Sequence, residues 1–265
     1  MINEESELIG KTANEGFERV LEQYPWPEQP SLEGVEPFSW SLGGAGRELI
    51  DSVIERHPKG LVLEIDAFMG GAARIWLSRF PELRCVLVDT WEEKVIDYVH
   101  SLQSVPWAIN AYGEEALAEY ASLLKQHGVI SCVQNNLSEF IERSILAPMT
   151  WAKAFEMLEA LDLNPTLVVV NRPRRENLIA AHHAFPNAII AGGDWNWGKD
   201  QDYPVRRYVT EIAERRGGKI DAYKSTFVIA EARHGAPLES EYRYSVSKDE
   251  SAEPSISETD KLALA

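Results

Sequence analysis

The feature that most constrains the fold of this 265-residue chain is a strand signal that runs into a glycine-containing loop. The apolar run Leu61–Ile65 is followed by Gly70 and Gly71, and an amphipathic segment over residues 72–79 comes next. A second apolar run, Arg84–Asp89, closes the unit. Two parallel strands joined by a helix form a βαβ unit, and sheets built from such units bind nucleotides beyond the carboxyl ends of their strands. The sequence therefore predicts a nucleotide-binding α/β sheet.

Strand and helix signals continue to alternate along the chain. We predict further strands at 129–133, 167–171, 188–191, 220–223 and 226–231. We predict further helices at 47–56, 114–126, 137–146, 150–161, 175–184 and 204–216, and an irregular stretch over 91–113. This alternation is typical of a mostly parallel sheet with helices on both faces. The predicted fold is therefore Rossmann-like α/β with seven strands.

The chain divides into three predicted segments. Residues 1–45 hold a helix with an apolar face over 4–23, a proline-rich break and a cover segment. Residues 46–235 form the α/β domain, and residues 236–265 form an acidic tail that is rich in Ser, Glu, Asp and Lys. This composition predicts a disordered tail. The apolar face of the N-terminal helix is a candidate element for a homodimer.

Charge and composition exclude several classes of function. A formal net charge of −16 argues against a nucleic-acid partner, since phosphate contacts need Lys and Arg. No apolar run approaches the roughly 18 residues that span a bilayer, so no membrane partner is predicted. Cys85 and Cys132 lie in apolar runs and are expected to be buried thiols in a reducing compartment. We expect a cytoplasmic globular protein whose partner is a small molecule.

The loop after the first strand is the predicted ligand site. Glycine permits positive φ, so the backbone N–H groups of Gly70 and Gly71 would face a ligand beside the N-terminus of the next helix. Asp89 ends the second strand, where its carboxylate would accept hydrogen bonds from the hydroxyls of an adenosine ribose. Two structural alternatives stay open, a tight βα turn for the glycines and a helix cap for Asp89.

Two classes of cofactor use such a loop, and the charges distinguish them. A dinucleotide needs the spacing G-x-G-x-x-G, but the three positions here hold Asp66, Phe68 and Gly71. The carboxylates of Glu64 and Asp66 would also repel a pyrophosphate. S-adenosylmethionine carries no phosphate and has two cationic groups, a sulfonium and an ammonium. The electrostatics therefore favour S-adenosylmethionine over a dinucleotide.

Three segments together resemble class I S-adenosylmethionine-dependent methyltransferases. Residues 64–73, E-I-D-A-F-M-G-G-A-A, resemble the first motif of that family, E-I-G-A-F-x-G-G-S-A. Residues 88–91 resemble the acidic end of the second strand, and residues 185–195 with Pro204 resemble the G-D-D-W segment and its continuation. That segment is found in small-molecule O-methyltransferases of the group with macrocin O-methyltransferase-like and cephalosporin-hydroxylase-like members. The resemblance covers residues 45–232.

The resemblance implies the class I methyltransferase fold, with a seven-stranded sheet and an N-terminal helical cover. It implies O-methylation of a small metabolite, such as a sugar or an anionic natural-product intermediate, with S-adenosyl-L-methionine as cofactor. The cofactor-binding residues indicated are Glu64, Asp66, Ala67, Phe68, Met69, Gly70, Gly71, Asp89, Thr90, Trp91 and Asn136. Asn136 belongs to this set because an amide after the third strand can bind the adenine amine, and turn capping is its structural alternative.

Three departures from the family pattern bear on activity. The first glycine of the first motif is Asp66, which would crowd the methionine end of the cofactor or contact its ammonium group. The D-x-x-H after the fourth strand falls on residues 171–174, Asn-Arg-Pro-Arg, and the double aspartate falls on Gly193 and Asp194. Related enzymes hold Mg²⁺ with these carboxylates, so Asp194 and Asn171 would be a thin ligand set. A metal-free enzyme and a catalytically silent subunit both stay open.

Five side chains are candidates for the acceptor side of the site. We predict Asp194 as the base or the remaining metal ligand, and His182 as an alternative general base. Arg172 and Arg174 would attract an anionic substrate, and Trp195 would line the acceptor pocket. Structural alternatives stay open for four of them: an exposed helix start for Arg172 and Arg174, a solvated or structural helix position for His182, and core packing for Trp195. A dinucleotide-dependent oxidoreductase is the less favoured third function.

Overall fold

The described part of the chain, residues 15–38 and 46–230 of a computed structural model, is organised around one seven-stranded sheet. The strands are β1 (Leu61–Ile65), β2 (Arg84–Asp89), β3 (Ser144–Pro148), β4 (Leu167–Val170), β5 (Ile189–Gly192), β6 (Lys219–Tyr223) and β7 (Thr226–Ala230). Their order across the sheet is β3-β2-β1-β4-β5-β7-β6. β7 is antiparallel to both neighbours, and the other pairings are parallel. The predicted mostly parallel, seven-stranded Rossmann-like sheet is confirmed.

Helices connect the strands and cover both faces of the sheet. They are α1 (residues 15–23), α2 (Glu48–Arg56), α3 (Gly71–Arg79), α4 (Lys94–Leu102), α5 (Pro106–Tyr112), α6 (Glu114–His127), α7 (Val129–Leu137), α8 (Trp151–Ala160), α9 (Arg175–Ala184) and α10 (Pro204–Arg216). One buried cluster joins α2, α3 and α7 to one face, and a second joins α1, α8, α9 and α10 to the other. This two-sided arrangement agrees with the predicted α/β architecture.

β1 lies at the centre of the sheet, and all five of its residues are buried. Leu61, Leu63 and Ile65 pack with α8 to α10, whereas Val62 packs with α2 and α3. Because side chains alternate along a strand, Glu64 lies on the same face as Val62. A buried carboxylate in a central strand is unfavourable unless it has a partner. The carboxylate of Glu64 therefore needs a polar or charged partner within the protein at this position.

The strand order reverses at the crevice between β1 and β4. From β1 the chain moves outward to β2 and β3, and it then returns to the other side of β1 to form β4. Ligands of open α/β sheets bind outside the carboxyl ends of the strands at such a switch point. The expected position of a functional site is therefore at the carboxyl ends of β1, β2, β4 and β5.

The third strand lies later in the chain than predicted. Residues 129–133, predicted as a strand, begin α7, and the predicted helix over 137–146 contains a 3₁₀ turn (Ser138–Phe140) and the start of β3. Five of the six buried residues of α7 recur at helical intervals, namely Val129, Cys132, Val133, Asn136 and Leu137, and Asn135 is the sixth. A short apolar run does not by itself distinguish a strand from a buried helical turn, and here the helical spacing decides.

Residues 91–113, predicted to be irregular, contain α4 and α5. α4 buries Val95, Val99 and Leu102 at helical spacing. With α6, the two helices enclose a small separate cluster built around Leu102, Ala108 and Leu117. The connection from β2 to β3 is thus a helical layer of its own. No helix of the described chain is long and apolar enough to cross a bilayer.

The N-terminal helix packs on the sheet of its own chain. Phe17 and Val20 of α1 are fully buried in the cluster with α8 to α10. The apolar face that suggested a homodimer is therefore covered within the chain at these residues. The predicted helical residues 4–14 and the predicted tail, 236–265, lie outside the described residues. Cys85 and Cys132 are buried free thiols, as predicted.

Residues 25–38, which we call the strap, run along the outer strand β3 and α7. The indole Nε1 of Trp26 donates to the carbonyl of Ser144 at 2.6 Å. The preceding carbonyl, that of Arg143, accepts from the backbone of Cys85 in β2. Because successive carbonyls of a strand point to opposite sides, the Ser144 carbonyl faces away from β2. The strap therefore satisfies a backbone acceptor on the outer edge of the sheet.

Candidate functional site

In the loop between β1 and α3, every second residue from Asp66 to Gly70 has a left-handed backbone conformation. Asp66, Phe68 and Gly70 have φ angles of 55°, 51° and 72°. The spacing G-x-G-x-x-G would put glycines at positions 66, 68 and 71. The left-handed residues of this loop are at positions 66, 68 and 70, so the third of them lies one residue before the third glycine of that spacing. A Cβ at Gly70 would lie 2.9 Å from Cδ1 of Leu137. The loop therefore needs glycine at position 70, and it holds Asp66 and Phe68 in a conformation that favours glycine.

Replacing Asp66 with glycine is expected to raise the free energy of unfolding by about 1 kcal/mol, because a non-glycine residue at positive φ carries strain. The change also removes a carboxyl whose pKa is raised by desolvation and by the charge of Asp89. Chemical denaturation measures the effect. Asp66→Ala is the control, since alanine keeps the strain and removes the carboxyl. An equal gain in both variants would assign the effect to the carboxyl and not to the backbone.

Asp89 braces this loop from the end of β2. Its Oδ2 accepts a hydrogen bond from the backbone N–H of Phe68 at 2.9 Å, and its Oδ1 accepts from the backbone N–H of Trp91 at 3.3 Å. The indole N–H of Trp91 donates in turn to the carbonyl of Phe68. Trp91 is buried, and Thr90 is half-buried beside it. A carboxylate oxygen accepts about two hydrogen bonds, so Asp89 retains acceptor capacity for a ligand.

A buried network crosses the crevice from β4 to β1. The Nδ2 of Asn171 donates to Oε1 of Glu64 at 2.9 Å and to the carbonyl of Asp66 at 3.1 Å. Arg47, the residue before α2, donates through Nη1 to Oδ1 of Asn171 at 3.5 Å, and its Nη2 lies 3.8 Å from Oε1 of Glu64. Its guanidinium also stacks over the ring of Trp76 at 4.9 Å. Arg47 and Asn171 are thus the partners that the buried Glu64 requires.

The Arg47–Glu64 pair is incompletely hydrogen-bonded. Glu64 is 1% exposed. Desolvation raises the pKa of Glu64, against the opposing effects of Arg47 and the Asn171 bond, and desolvation lowers the pKa of Arg47. Among the described residues, neither Oε2 of Glu64 nor Nη2 of Arg47 has a hydrogen-bond partner. Because buried polar atoms almost always have one, these two atoms mark a place where polar ligand groups would be stabilised.

Charged side chains of both signs surround the loop. Desolvation and the charge of Asp89 raise the pKa of Asp66, and the charges of Arg172, Arg174 and Lys94 oppose this shift. The three cationic side chains are exposed. Arg172 and Arg174, predicted to attract an anionic substrate, therefore lie at the same edge of the sheet as the loop.

Asp194 follows β5 at this edge and has a left-handed φ of 59°. Although the residue is exposed, the protein around its carboxyl displaces enough solvent to raise the pKa to about 6, against the opposing charge of Arg172. The neighbouring Trp195 is 5% exposed and packs against Phe227 with ring centroids 6.2 Å apart. This contact favours core packing, the structural alternative, and the lining of an acceptor pocket by Trp195 stays a prediction.

The residues at this edge do not fit a divalent cation. The Oδ1 of Asn171 faces the guanidinium of Arg47, so this amide is not a metal ligand. Asp194 supplies one carboxylate, whereas Mg²⁺ requires several oxygen ligands in octahedral geometry. Within residues 15–38 and 46–230, no group of three or more His, Cys, Asp or Glu side chains is arranged to hold a metal ion.

His182 lies away from the carboxyl edge, contrary to the role expected of it. It belongs to the last turn of α9, and its Nδ1 lies 3.4 Å from Nη1 of Arg216. Arg216 also donates to the carbonyls of Pro186 and Ala188, which immediately precede β5. His182 is therefore near the amino end of β5, whereas Asp194 follows its carboxyl end. The assignment of His182 as a general base is withdrawn.

The amide of Asn136 contacts protein groups and not the adenine predicted for it. Asn136 lies in α7, not after a strand, and is 1% exposed. Its Oδ1 accepts from the backbone N–H of Phe38 at 2.7 Å. Its Nδ2 donates to the carbonyl of Met69 at 3.0 Å and lies 3.5 Å from the hydroxyl of Tyr120. Asn136 thus stabilises the loop between β1 and α3 through the carbonyl of Met69.

Two residues of the site were missed from the sequence. Arg47 left one signal, because a cation is unfavourable at a helix N-terminus and therefore indicates a nearby acidic partner. Tyr98 of α4 left none, since its segment was predicted to be irregular. Its ring packs edge-on against Phe68 at 5.9 Å. Desolvation raises its pKa, with opposite contributions from Arg172 and Asp194, so its hydroxyl belongs to the same edge.

No protein-family model and no curated protein matches the sequence. Solved structures of methyltransferases are similar to the chain in fold. Precorrin-6y C5,15-methyltransferase from Geobacter metallireducens is 10% identical, with 78% of this chain and 100% of that chain covered and a TM-score of 0.41. An O-methyltransferase family protein from Burkholderia thailandensis is 12% identical, with 70% and 55% covered and a TM-score of 0.39.

A third similar structure is the MycE methyltransferase of the mycinamycin biosynthetic pathway, in complex with Mg and SAH. It is 11% identical, with 72% of this chain and 48% of that chain covered and a TM-score of 0.41. At these levels of similarity, the fold assignment rests on the strand order and pairing directions of the chain itself.

Proposed function

We propose that this protein is an S-adenosylmethionine-dependent methyltransferase that acts on a small molecule. The observation that carries the proposal is the contact between Asp89 and the left-handed loop at the switch point of the sheet. The carboxylate holds the backbone of Phe68 in place and retains acceptor capacity beside it. A ribose diol is a ligand that matches this arrangement.

The crevice supplies groups for the other end of the donor. The amino-acid end of S-adenosylmethionine carries an ammonium and a carboxylate. Oε2 of Glu64 and Nη2 of Arg47 are buried and have bonding capacity left, and their charges are complementary to that pair. Asp66 adds a further carboxylate beside the loop. When bound, the donor would supply an electrophilic methyl group on its sulfonium, and Glu64, Arg47, Asp66 and Asp89 would bind and orient it.

The acceptor side combines a base with cationic groups. Methyl transfer needs mainly the positioning of donor and acceptor, together with removal of the acceptor proton. Asp194 is the proposed base, and O-methylation is the proposed reaction. Arg172 and Arg174 are exposed at the same edge and favour an anionic acceptor. A small anionic metabolite with a hydroxyl group is therefore the proposed substrate class. No step requires Mg²⁺.

The methylation rate is expected to depend on the protonation of Asp194. A carboxyl accepts a proton only when it is ionised, and the pKa of Asp194 is raised to about 6. We therefore expect kcat/KM to rise with pH through a midpoint near that value and to level off above it. Asp194→Asn keeps the size of the side chain and removes the base. A pH profile that is unchanged in this variant would contradict the assignment.

Calorimetric titration tests the proposed function directly. S-adenosylmethionine and S-adenosylhomocysteine are expected to bind, and NAD is not. Binding of NAD alone would overturn the proposal in favour of a dinucleotide-dependent oxidoreductase. The experiment needs no knowledge of the acceptor, so it separates donor binding from catalysis.

A catalytically silent member of the fold is the second candidate function, and one observation favours it. Both amide atoms of Asn171 are engaged by Glu64, Asp66 and Arg47, so the position of the family's first carboxylate presents no group to an acceptor. Donor binding without turnover on a panel of hydroxylated and anionic acceptors, with and without Mg²⁺, would support this alternative over an active enzyme.

A further inference from the structure

Two adjacent asparagines of α7 hold the backbone of the strap. Oδ1 of Asn135 accepts from the N–H of Leu32 at 2.7 Å, and its Nδ2 donates to the carbonyl of Val35 at 3.1 Å. Asn136 accepts from the N–H of Phe38 at 2.7 Å. The strap is therefore attached at three backbone positions. These hydrogen bonds do not depend on the side chains of the strap.

Asn136 differs from Asn135 in what its other amide atom contacts. Its Nδ2 donates to the carbonyl of Met69, between the left-handed residues Phe68 and Gly70. The helix that carries the asparagine also touches the loop, since Leu137 limits the space at Gly70. A single buried amide thus joins the end of the strap to the loop between β1 and α3. Asn135 makes no corresponding contact with the loop in any hydrogen bond of the described residues.

The burial of Asn136 makes the two contacts interdependent. A buried amide that loses one partner keeps an unsatisfied polar atom, which is unfavourable. If the strap leaves, Oδ1 loses the N–H of Phe38, and rotation of the amide to find another partner would break the bond to Met69. If the loop shifts, the same argument applies in the other direction. The ring of Phe38, stacked on Tyr120 at 3.8 Å, adds to the attachment at this point.

We propose that Asn136 is a positioning residue that couples docking of the strap to the conformation of the loop between β1 and α3. The consequence for the donor rests on the proposed function: donor affinity depends on the strap through Asn136, although neither the strap nor Asn136 contacts the donor directly. The adjacent Asn135 anchors the strap without this coupling.

A matched pair of variants separates the two roles. Asn136→Asp keeps an acceptor for Phe38 but places an oxygen against the carbonyl of Met69. Asn135→Asp keeps an acceptor for Leu32 but places an oxygen against the carbonyl of Val35. In their ionised forms, both aspartates add one buried charge and remove one donor to a backbone carbonyl, at neighbouring positions of one helix; exchange is therefore compared over a range of pH, since a protonated carboxyl would donate to the carbonyl again. A loss of stability that both variants share therefore cannot account for a difference between them.

The first readout is hydrogen exchange in the ligand-free proteins. Asn136→Asp is expected to speed exchange in the peptide covering residues 66–71, and Asn135→Asp is expected to speed it in the strap only. Equal acceleration of the loop peptide in both variants, or in neither, would overturn the coupling. If Asn136→Asp does not fold, Phe38→Ala loosens the strap at the same point, and faster exchange in the loop is again the expected result.

The second readout is the affinity for S-adenosylhomocysteine. Asn136→Asp is expected to weaken binding about tenfold, the effect of one buried polar contact, and Asn135→Asp is expected to change it by less than about threefold. In the wild-type protein, the ligand is expected to slow exchange at residues 32–38. Binding that leaves this exchange unchanged would overturn the proposal. If the wild-type protein does not bind the ligand, the proposed function fails, and the ligand-free exchange still decides the coupling.

Discussion

Replacing Asp89 with alanine is expected to weaken binding of S-adenosylmethionine by about a hundredfold or more, since the variant loses charged acceptors for two ribose hydroxyls. The same change removes the acceptors for the backbone N–H groups of Phe68 and Trp91. The loop would then lose this side-chain tie to β2 as well as the proposed ligand contact, and it would keep the backbone hydrogen bond from Ala67 to Val88. Titration calorimetry with the purified variant measures the dissociation constant.

Asp97→Ala provides the control for charge. Asp97 is an exposed residue in the first turn of α4, so its loss changes the net charge by the same amount. It should leave donor affinity within about twofold, because an exposed charge is strongly screened. Asp89→Asn keeps one acceptor and is expected to fall between the two. An unchanged dissociation constant in Asp89→Ala would show that the ribose does not bind at the end of β2.

The second large effect is expected from Arg47→Met, which leaves the buried carboxyl of Glu64 without its cationic partner. Removing one member of a buried ion pair costs about 3 kcal/mol or more of unfolding free energy. Arg56→Met, at the exposed opposite end of α2, is the matched control and should cost little. Urea unfolding at neutral pH measures both. A loss in Arg47→Met no greater than that in Arg56→Met would contradict the role given to the pair.

The same variant should show a characteristic pH dependence. Burial raises the pKa of Glu64 above its ordinary value of 4.5, and loss of Arg47 removes a charge that opposes this shift. The folded protein then keeps a proton that the unfolded chain has already released. Its stability is therefore expected to fall as pH rises from the ordinary pKa to the raised one and to level off above it. Acidification should restore stability to Arg47→Met relative to the wild type.

The central part of the fold was predictable from the sequence because its signals are local. The apolar runs that form β1 and β2 are bounded by glycine or charge, and the helix between them has one apolar face. The third strand was not, since the apolar spacing of residues 129–133 fits a buried helix as well as a strand. α4 was missed because its three buried residues lie among mostly polar neighbours and the stretch after it, residues 103–113, carries no regular pattern.

The site was predictable only where residues adjacent in sequence meet at one edge of the sheet. Glu64, Asp66 and Asp89 follow from the ends of β1 and β2. Arg47 and Asn171 reach Glu64 across more than one element, and such contacts leave little trace in sequence. His182 was misplaced for another reason: the helix predicted over 175–184 already puts it in the last turn, and the helix of a parallel crossover ends at the amino edge of the sheet, opposite to Asp194. For Trp195, the sequence did not distinguish core packing from the lining of a pocket, because proximity to Asp194 along the chain does not fix where a side chain after a strand points.

The attachment of Trp26 to Ser144 also bears on how copies of this protein behave toward one another. An outer strand with unsatisfied backbone groups is a template for strand addition by a neighbouring molecule. The indole occupies one such acceptor of β3, and the prolines on either side of it, Pro25 and Pro27, offer no N–H for a foreign strand to bind. Proteolysis that removed this segment would therefore leave a chain prone to intermolecular aggregation through β3.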